Sequence, residues 1–380
     1  MKIAVFTTYF WPEKNGLVNY IDGLYTHVIS NHHDVKVDIF TFDTLKTKIH
    51  FETIGSFNVY RFPCVTLMGG TYAIPSITSY TKLKKIFKKN TYHIVNTHTR
   101  FFLSSFFGYL IAKKYKIKFV HTEHGSSFVK DGSQLVRLLA RVYDETLGRL
   151  VISQSDVLLG VSKKCLDFAN MLSSKNKYKS VIHNGIDTNF WQLDKHKPTN
   201  QLIKITFCGR LTKSKGVHNL LTAMIHLEST NWLLDIVGAG NYNEYLVELS
   251  SELNINNKIT WHGSVDSNYI KNILSNTDIF INPSYSEGLP TSVLEAGAMQ
   301  CICIATDVGG TNEVIDDGIN GFLIPPQNIE QLVDKLNLVM NKVEYKQFGI
   351  ILSKKIKSTF DWLVISEKFY DILKMYSNNY

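Results

Sequence analysis

The sequence predicts an α/β protein with two doubly wound, Rossmann-like domains that face each other across a cleft. Short apolar strands alternate with amphipathic helices almost from end to end, which is typical of parallel α/β sheets. The 380 residues also exceed what one average core accommodates. The alternation restarts after a polar, proline-containing stretch, so we predict a first domain over 1–192, a linker over 193–201 and a second domain over 202–360.

The predicted elements follow this alternation in chain order. In the first domain the expected strands are IAVFTT, VKVDIFTF, HIVNTHT, KFVHTEH, DVLLGVS and SVIHNG. The expected helices are Tyr20–Ser30, Ile77–Lys89, Leu103–Lys114, Gln134–Ser153 and Cys165–Leu172. In the second domain the strands are IKITFCG, WLLDIVG, KITWHG, DIFINPS, CICIAT and GFLIP. The helices are Gly216–Leu227, Tyr242–Leu253, Ser267–Asn276, Thr291–Met299 and Ile329–Asn341, and the last stretch of about 35 residues is predicted to be helical throughout.

The composition is that of a globular protein in a reducing compartment. Hydrophobic residues make up 44% and charged residues 19%, which excludes a largely disordered chain. No apolar run approaches the ~18 residues of a spanning helix, and the N-terminus passes directly into a strand pattern. The five cysteines include no CxxC pair, and Cys301 and Cys303 fit one buried strand. We therefore expect a cytoplasmic protein whose cysteines hold no metal.

Charge is divided unevenly between the two halves of the chain. Residues 1–190 carry 25 Lys and Arg against 13 Asp and Glu, a net charge of +12, whereas the whole chain has +8. We expect the first half to meet an anionic partner such as a membrane surface or a lipid-linked diphosphate. Nucleic acid is disfavoured because only six of the 41 cations are Arg. A lysine-rich surface that only aids solubility is the alternative.

A phosphate site is predicted where the first strand of the second domain ends. Gly209 and Arg210 follow the strand IKITFC, and Lys215 directly precedes the next helix. Arg can bind two phosphate oxygens at once while Lys supplies a point charge, and the helix N-terminus adds free backbone donors. The alternative is an ordinary surface ion pair.

A second motif, SEGLPTSVLEA, follows the strand DIFINPS. The chain turns at Gly288 and enters a helix with Pro290 in its first turn, a position that proline favours. Glu287 is expected in the loop and Glu295 about two turns inside the helix. Such a pair can hold hydroxyl groups of a sugar and a ribose on either side of a phosphate. A capping acid plus a solvated helix residue is the simpler interpretation of a pair at this spacing.

The first domain offers two further candidates. Asn15 and Gly16 lie in a polar loop after the first strand, where Gly16 would allow the backbone to approach a ligand closely. His124 lies at the end of the strand KFVHTEH and could donate to a sugar hydroxyl or a developing oxyanion. A simple turn and a structural histidine are the alternatives. Gly238 and Gly240 are not taken as a dinucleotide fingerprint, because the third glycine position holds Asn.

Together these motifs resemble glycosyltransferase family 4, the retaining, nucleotide-sugar-dependent transferases with the GT-B fold. The resemblance runs nearly the whole chain and rests on Asn15-Gly16, His124-Gly125, the NGID segment 184–187, the GRL…KG segment 210–216, the HGSV segment 262–265 and Glu287 to Glu295. The family commonly has two adjacent glycines in its N-terminal loop, and here the first of them is Asn15. Its chains also usually end in a helix that returns to the first domain, which we expect of residues 361–380.

The resemblance implies a role for each matching residue. Arg210, next to Gly209, and Lys215 would bind the donor diphosphate, and Glu295 the ribose. Glu287 and the backbone of Gly288 and Leu289 would hold the donor sugar ahead of the helix at Pro290 and Thr291, and His124 would contact that sugar. The backbone at Val265 would lie beside the base, and Asn15 and Gly16 near the diphosphate.

The resemblance also implies retention of the anomeric configuration, by front-face attack in which the leaving phosphate accepts the acceptor's proton. No Asp-x-Asp occurs in the chain, so Arg210, Lys215 and a helix N-terminus are expected to replace a metal and no cofactor is expected. We expect transfer of a hexose or N-acetylhexosamine, with UDP-sugars preferred, to a glycan or lipid-linked acceptor of bacterial O-antigen, capsule or lipopolysaccharide. The cationic segment Lys82–Lys89 and the aromatic segment Phe101–Ala112 suit peripheral contact with the inner face of the membrane, although an ordinary solvated helix and a buried helix are equally compatible.

Other activities remain as alternatives. The donor could be GDP-mannose in a mannosyltransferase. The fold could also support another nucleotide-sugar reaction, such as epimerisation, which would convert the donor without an acceptor. The chain could finally be a non-catalytic nucleotide-sugar-binding partner of an active transferase. The presence of Arg210, Lys215, Glu287 and Glu295 argues against loss of activity, and a dehydrogenase is disfavoured by the incomplete glycine pattern.

Overall fold

The computed structural model describes residues 1–13, 15–67, 72–129, 133–175, 178–194, 197, 202–341 and 343–377. The chain divides into two compact units, Met1–Gly185 with Trp362–Tyr380, and Ile186–Asp361. The predicted linker 193–201 falls within the range of the second unit, and of its residues only 193, 194 and 197 lie among those described.

The first unit is built on an eight-stranded sheet. Strands β1 to β10 are Lys2–Phe6, Lys36–Phe42, Phe51–Ile54, Phe57–Phe62, Cys64–Leu67, Tyr72–Pro75, Ile94–His98, Lys118–Glu123, Val157–Gly160 and Tyr178–Val181. Helices α1 to α6 are Gly16–Asn31, Ile77–Lys89, Leu103–Tyr115, Gln134–Tyr143, Arg149–Gln154 and Lys163–Leu172. A π-helical segment, Asp144–Gly148, joins α4 to α5.

The sheet order is β10-β9-β8-β7-β1-β2-β4-β3, with every pair parallel except β3 with β4. Side chains alternate along each strand, so Ile3 and Val5 enter the core that α1 covers, while Ala4 and Phe6 enter the core on the opposite face. The carboxyl ends of the parallel strands meet at one edge, which brings the loops after β1, β7 and β8 together.

The sequence pattern did not predict β3 to β6. Strands β3 and β4 form a hairpin at the edge of the large sheet, and β5 and β6 form a separate antiparallel pair. All of them except β4 are four residues long, and β3 alternates between exposed and half-buried positions. Four-residue strands such as β3, β5 and β6 give a weak periodic signal. Strand β4 was missed although it buries Phe57, Val59 and Phe62.

The second unit contains an entirely parallel six-stranded sheet in the order β13-β12-β11-β14-β15-β16. Strands β11 to β16 are Ile203–Cys208, Trp232–Val237, Ile259–Gly263, Ile279–Asn282, Ile302–Thr306 and Phe322–Ile324. Helices α7 to α13 are Val217–Met224, Asn243–Glu252, Ser267–Ser275, Thr291–Ala298, Thr311–Val314, Ile329–Asn341 and Lys346–Thr359. The strand order changes direction between β11 and β14, so the loops after these two strands lie at the switch point where open α/β sheets bind ligands.

The last helix, α14 (Trp362–Ser377), belongs to the first unit and packs against α1. The prediction of an unbroken C-terminal helix was wrong, because α13 ends at Thr359 and residues 360–361 are not helical. Asp361 pairs with Ile186 in a short parallel bridge, and its carboxylate accepts a hydrogen bond from the backbone amide of Thr188 at 3.2 Å. These contacts interrupt the helix at this point.

The glycine of the NGID segment has a packing role. A Cβ on Gly185 would lie 2.7 Å from the indole ring of Trp362, and one on Gly23 would lie 2.4 Å from the same ring. Both contacts are closer than real Cβ atoms reach, so these two glycines make room for the first residue of α14. The glycine of this segment is therefore explained by the packing of α14.

Candidate active site

The loop after β11 carries the two cations predicted to bind phosphate. Arg210 is exposed and has no ion-pair partner among the described residues. Lys215 ends a 3₁₀ turn, and its Nζ lies 2.6 Å from Oε1 of Glu287, with both side chains largely buried. The structure thus brings together Lys215 and Glu287, which stand 72 positions apart in the sequence.

The loop that holds Lys215 packs against the loop after β14 and is hydrogen-bonded to it. Gly216 adopts φ 68°, and a Cβ there would lie 2.1 Å from the carbonyl oxygen of Pro283. The amide of Tyr285 donates to the carbonyl of Ser214 at 2.8 Å. The Tyr285 hydroxyl also lies 2.7 Å from Nε2 of His218 on α7. Glycine is required at 216 both for the left-handed backbone and for this close approach, and the result fixes the Lys215 ammonium beside Glu287.

The Glu287-Gly288 segment is held from its other side by the loop after β15. Gly309 has φ 56°, and a Cβ there would lie 2.0 Å from the carbonyl oxygen of Glu287. The amide of Gly310 donates to the carbonyl of Gly288 at 2.7 Å. Leu289 is buried and leads into α10. Helix α10 begins at Thr291, so Pro290 immediately precedes the helix rather than forming part of its first turn.

Glu295 lies on α10 in an environment that disfavours its charge. Burial raises the pKa of this carboxyl to about 8. Its negative charge also raises the pKa of the Cys208 thiol at the end of β11, an effect second to burial of the thiol itself. A carboxyl in this state gains from any ligand that donates hydrogen bonds to its ionised form.

The glycines after β12 are explained by the packing of neighbouring loops. Gly238 has φ 132°, and a Cβ on it would lie 1.9 Å from the carbonyl oxygen of Gly209, while one on Gly240 would lie 2.1 Å from that of Leu211. The turn after β12 is thus in close contact with the Arg210 loop. Val265 follows β13 on the far side of β12 and is half-buried.

In the first unit, His124 stands at the end of β8 among aromatic and polar groups. Its Nε2 lies 3.2 Å from Nδ1 of His98, and its ring makes an edge contact with Tyr20 at 4.8 Å between centroids. Burial lowers the pKa of His124 to about 4, so the imidazole is neutral near pH 7. A neutral ring can donate one hydrogen bond and accept another.

A buried ionic network fixes the His124-Gly125 turn. Glu123 accepts the amides of His124 at 3.0 Å and Gly125 at 2.7 Å, and it pairs with Arg100 at 2.8 Å. Arg100 also pairs with Asp144 at 2.9 Å, and all three charged side chains are at most 3% exposed. Burial alone would raise the pKa of Glu123, but the Arg100 charge and the surrounding donors hold it well below its usual range.

Asn15 has a structural role at the start of α1. Its backbone is extended and its Oδ1 accepts the amide of Val18 at 3.0 Å, so Asn15 is the N-cap of α1. Gly16 is the first residue of the helix, and a Cβ there would meet nothing within 4 Å. One turn further on, Tyr20 reaches His124, which places the start of α1 beside the His124 turn.

The predicted residues thus fall into two groups, one in each unit. In the second unit the predicted residues are Gly209, Arg210, Lys215, Val265, Glu287, Gly288, Leu289, Pro290, Thr291 and Glu295. Asn15, Gly16 and His124 lie in the first unit. No role was predicted from the sequence for Arg100, Glu123 and Asp144. The scarce residue type Arg100, two residues after β7, was the signal that could have indicated them.

Across the part of the chain that the structure describes, no three His, Cys, Asp or Glu side chains gather closely enough to hold a metal ion. No helix in those same residues combines the length and apolar character needed to cross a bilayer.

Comparisons with known proteins agree with this architecture. The family described as Glycosyltransferase Family 4 matches residues 14–190, and Glycosyl transferases group 1 matches residues 189–349. An uncharacterized glycosyltransferase of Methanocaldococcus jannaschii is 30% identical over 95% of each chain. The UDP-Gal:alpha-D-GlcNAc-diphosphoundecaprenol alpha-1,3-galactosyltransferase of Escherichia coli is 26% identical over 73% of this chain and 74% of its own.

A solved structure shows the same fold. HepE of Anabaena, crystallised in complex with UDP, superposes with a TM-score of 0.78 at 16% identity and covers 99% of this chain and 100% of its own. The sequence matches and the paired α/β units therefore agree, and the chain belongs to glycosyltransferase family 4, with the GT-B fold.

Proposed function

We propose that this transferase moves a hexose or N-acetylhexosamine from a UDP-sugar, with retention and without a metal, to a glycan or lipid-linked acceptor of a bacterial surface polysaccharide. One observation carries the donor part of this proposal. Lys215 and Glu287 form an ion pair at the switch point of the second sheet, with the exposed Arg210 in the same loop as Lys215. This arrangement provides positive charge and a sugar-binding carboxylate within one loop cluster.

The leaving diphosphate would bind to the cations. Arg210 can engage two phosphate oxygens, and the Lys215 ammonium keeps donors for phosphate beyond the one that Glu287 accepts. First-turn amides of α10 add partial positive charge. Because the main barrier to transfer is the charge that develops on the departing diphosphate, these groups supply what a metal supplies in other transferases. We therefore expect activity to survive chelation by EDTA.

The remaining residues would position the donor. Glu295 would accept the ribose hydroxyls, and the backbone beside Val265 would face the base. Glu287 and the amides of Gly288 and Leu289 would hold the donor sugar, which His124 would contact as a neutral donor. In front-face attack the leaving phosphate takes the acceptor's proton, so no separate protein base is assigned.

The acceptor part of the proposal is supported by the relatives and by charge. The Escherichia coli relative carries diphosphoundecaprenol in the name of its acceptor. The first half of this chain has a net charge of +12, which suits an acceptor that presents a diphosphate at an anionic membrane. We infer a location on the inner face of the cell membrane for an otherwise cytoplasmic protein.

A thermal-shift panel of UDP, GDP, ADP and their sugars tests the donor. Selective stabilisation by UDP compounds is expected, and selective stabilisation by GDP-mannose would replace the UDP assignment with a mannosyltransferase. Release of UDP from the selected sugar then tests turnover, since binding without release would indicate a non-catalytic partner.

The site itself is tested by Arg210→Ala, which is expected to abolish nucleotide release. The exposed Lys213, two residues before Lys215 in the same loop, provides a matched control. Loss of a nearby cation in Lys213→Ala should leave release close to the unmodified rate. Equal effects of both substitutions would indicate a general charge effect and contradict a specific diphosphate contact.

A further inference from the structure

Helix α4 (Gln134–Tyr143) carries an apolar face that no described part of the protein covers. Of its ten residues only Ala140 is buried. Its large apolar side chains are 51–64% exposed, namely Leu135, Leu138, Leu139 and Val142. Their spacing of three and four residues puts all four on one side of the helix.

The segments that the sequence suggested for membrane contact do not have this property. In Lys82–Lys89 the apolar residues Leu83 and Phe87 are buried in the core, and the exposed residues of the segment are all lysines. In Phe101–Ala112 the residues Tyr109, Ile111 and Ala112 are buried in the same core. These apolar residues stabilise the first unit, whereas Leu135, Leu138, Leu139 and Val142 of α4 remain more than half exposed.

Exposed cations accompany the apolar face. Arg137 and Arg141 lie on α4 and Arg149 on α5, so three of the chain's six arginines fall within this segment. Arg141 pairs with Glu145 at 2.8 Å and lies over the ring of Phe128 at 4.8 Å, which holds its guanidinium near the surface. An apolar stripe on one side of a helix with arginines on its polar side is the pattern of a helix that lies in the headgroup region of an anionic bilayer.

The dimensions of the face favour a lipid surface over a second copy of the chain. A ten-residue helix is about 15 Å long, and one such stripe is much smaller than the roughly 800 Å² per partner of a stable protein interface. A bilayer needs no matching partner surface, because its acyl region accepts any apolar stripe.

We propose that the apolar face of α4 inserts into the headgroup–acyl boundary of an anionic lipid bilayer and docks the first unit there. This inference rests on the lipid-linked acceptor of the proposed function and names the surface that would reach it. A second exposed apolar pair lies close by, because Val65 and Ile74 oppose each other on the β5–β6 hairpin, whose Tyr72 contacts Tyr143 at the end of α4.

The position of α4 links membrane docking to the His124 turn. Asp144 directly follows α4 and pairs with Arg100, which pairs with Glu123, which accepts the amides of His124 and Gly125. An acceptor carried on a lipid would therefore be presented at the edge of the sheet where His124 lies. The buried ion pairs hold the docking helix and this turn in one rigid arrangement.

Sedimentation with vesicles tests the proposal without turnover. The unmodified protein should pellet with phosphatidylglycerol-containing vesicles and much less with pure phosphatidylcholine. The triple variant Leu135→Gln, Leu138→Gln, Leu139→Gln keeps helix propensity and should lower the partition coefficient at least about tenfold. The double variant Ile350→Gln, Ile351→Gln removes exposed apolar residues from α13 instead and should leave binding unchanged.

The charge contribution is tested separately with Arg137→Gln, Arg149→Gln, which should weaken binding about tenfold at low salt and less at high salt. Equal recovery of the unmodified protein in the supernatant with both vesicle types would overturn the proposal. So would unchanged binding of the triple variant, or a concentration-dependent dimer that the triple variant abolishes, because the occupant would then be a second copy. Unaltered circular dichroism and melting temperature of the variants establish that they fold.

The outcome is distinguishable from failure of the proposed function. If vesicles bind but no nucleotide stabilises the protein, the transferase assignment fails and the docking surface stands. If nucleotide sugars bind and turn over while no vesicle binds, the docking surface fails. The triple variant should keep the donor thermal shift of the unmodified protein, because its three substituted side chains are exposed on α4 and none of them is assigned to the donor.

Discussion

Binding of a nucleotide sugar at Glu295 is expected to release a proton. Burial raises the pKa of this carboxyl to about 8 in the free protein, so about 0.9 of a proton is bound there at pH 7. Ribose hydroxyls that donate to the carboxyl favour its ionised form and lower its pKa in the complex. The proton must therefore leave when the donor binds.

The sign and size of the pH dependence follow from this competition. Protons compete with the donor wherever the pH is below the free pKa of about 8. The association constant should therefore rise nearly tenfold between pH 6 and pH 7 and level off above about pH 9. A carboxyl with an ordinary pKa near 4 would give a flat profile over the same range.

Isothermal titration calorimetry at pH 7 measures the released proton directly. Titration in two buffers with different ionisation enthalpies should give different heats, with a slope of about 0.9 proton per donor. The ligand should be the nucleotide sugar rather than the free diphosphate, since a terminal phosphate titrates near neutral pH. Glu295→Gln is the control and should abolish the buffer dependence as well as weaken binding. Identical heats in both buffers for the unmodified protein would refute the assigned role of Glu295.

Three further substitutions test the supporting structure. Arg100→Met leaves Glu123 buried without its cation and should lower stability by about 3–5 kcal/mol at pH 7. Because the Glu123 pKa is depressed, its stabilising contribution exists above pH ~4.5 and is lost as pH falls, so the deficit in melting temperature should shrink toward pH 4; a pH-independent deficit would contradict this. Asn15→Ala should cost about 1 kcal/mol while Asn15→Gly costs only a few tenths, as chemical denaturation would measure, and equal losses would argue against an N-cap. Gly309→Ala should weaken donor binding by displacing Glu287 in calorimetry, whereas Gly318→Ala, also at positive φ but with nothing within 4 Å of its Cβ, should leave affinity unchanged.

The parts of the fold that the sequence predicted are those with long, buried periodic segments. Every strand of the second sheet was predicted, because each is a short run rich in apolar residues between two helical stretches. Strands β3, β5 and β6 were missed because each has only four residues, whereas β4 was missed although it has six residues and a largely buried face. The break after Thr359 was missed because it depends on Asp361, whose partners Ile186 and Thr188 are distant in sequence.

In the candidate site, too, single residues were predicted from local patterns, whereas the contacts between them were not. Lys215 and Glu287 were predicted separately from local strand–turn–helix patterns, and the sheet then placed them 2.6 Å apart. Their pairing could not be derived from spacing, since it depends on the parallel order of β11 and β14. The N-cap role of Asn15 was not predicted either, because it depends on the extended backbone at this residue and on the position of the Val18 amide.

The network around Glu123 shows why some of a site cannot be predicted locally. Its members lie at 100, 123 and 144, on a loop, a strand and a π-helical segment, and no periodicity connects them. A buried carboxylate is tolerated only if donors surround it, and here those donors include the two amides of the His124 turn. The energetic need to satisfy Glu123 therefore determines where His124 stands, and the same need ties Asp144, and with it α4, to that position. Glu123→Met together with Arg100→Met would remove this ion pair and also the acceptor of both amides, so the double variant should destabilise the turn that holds His124.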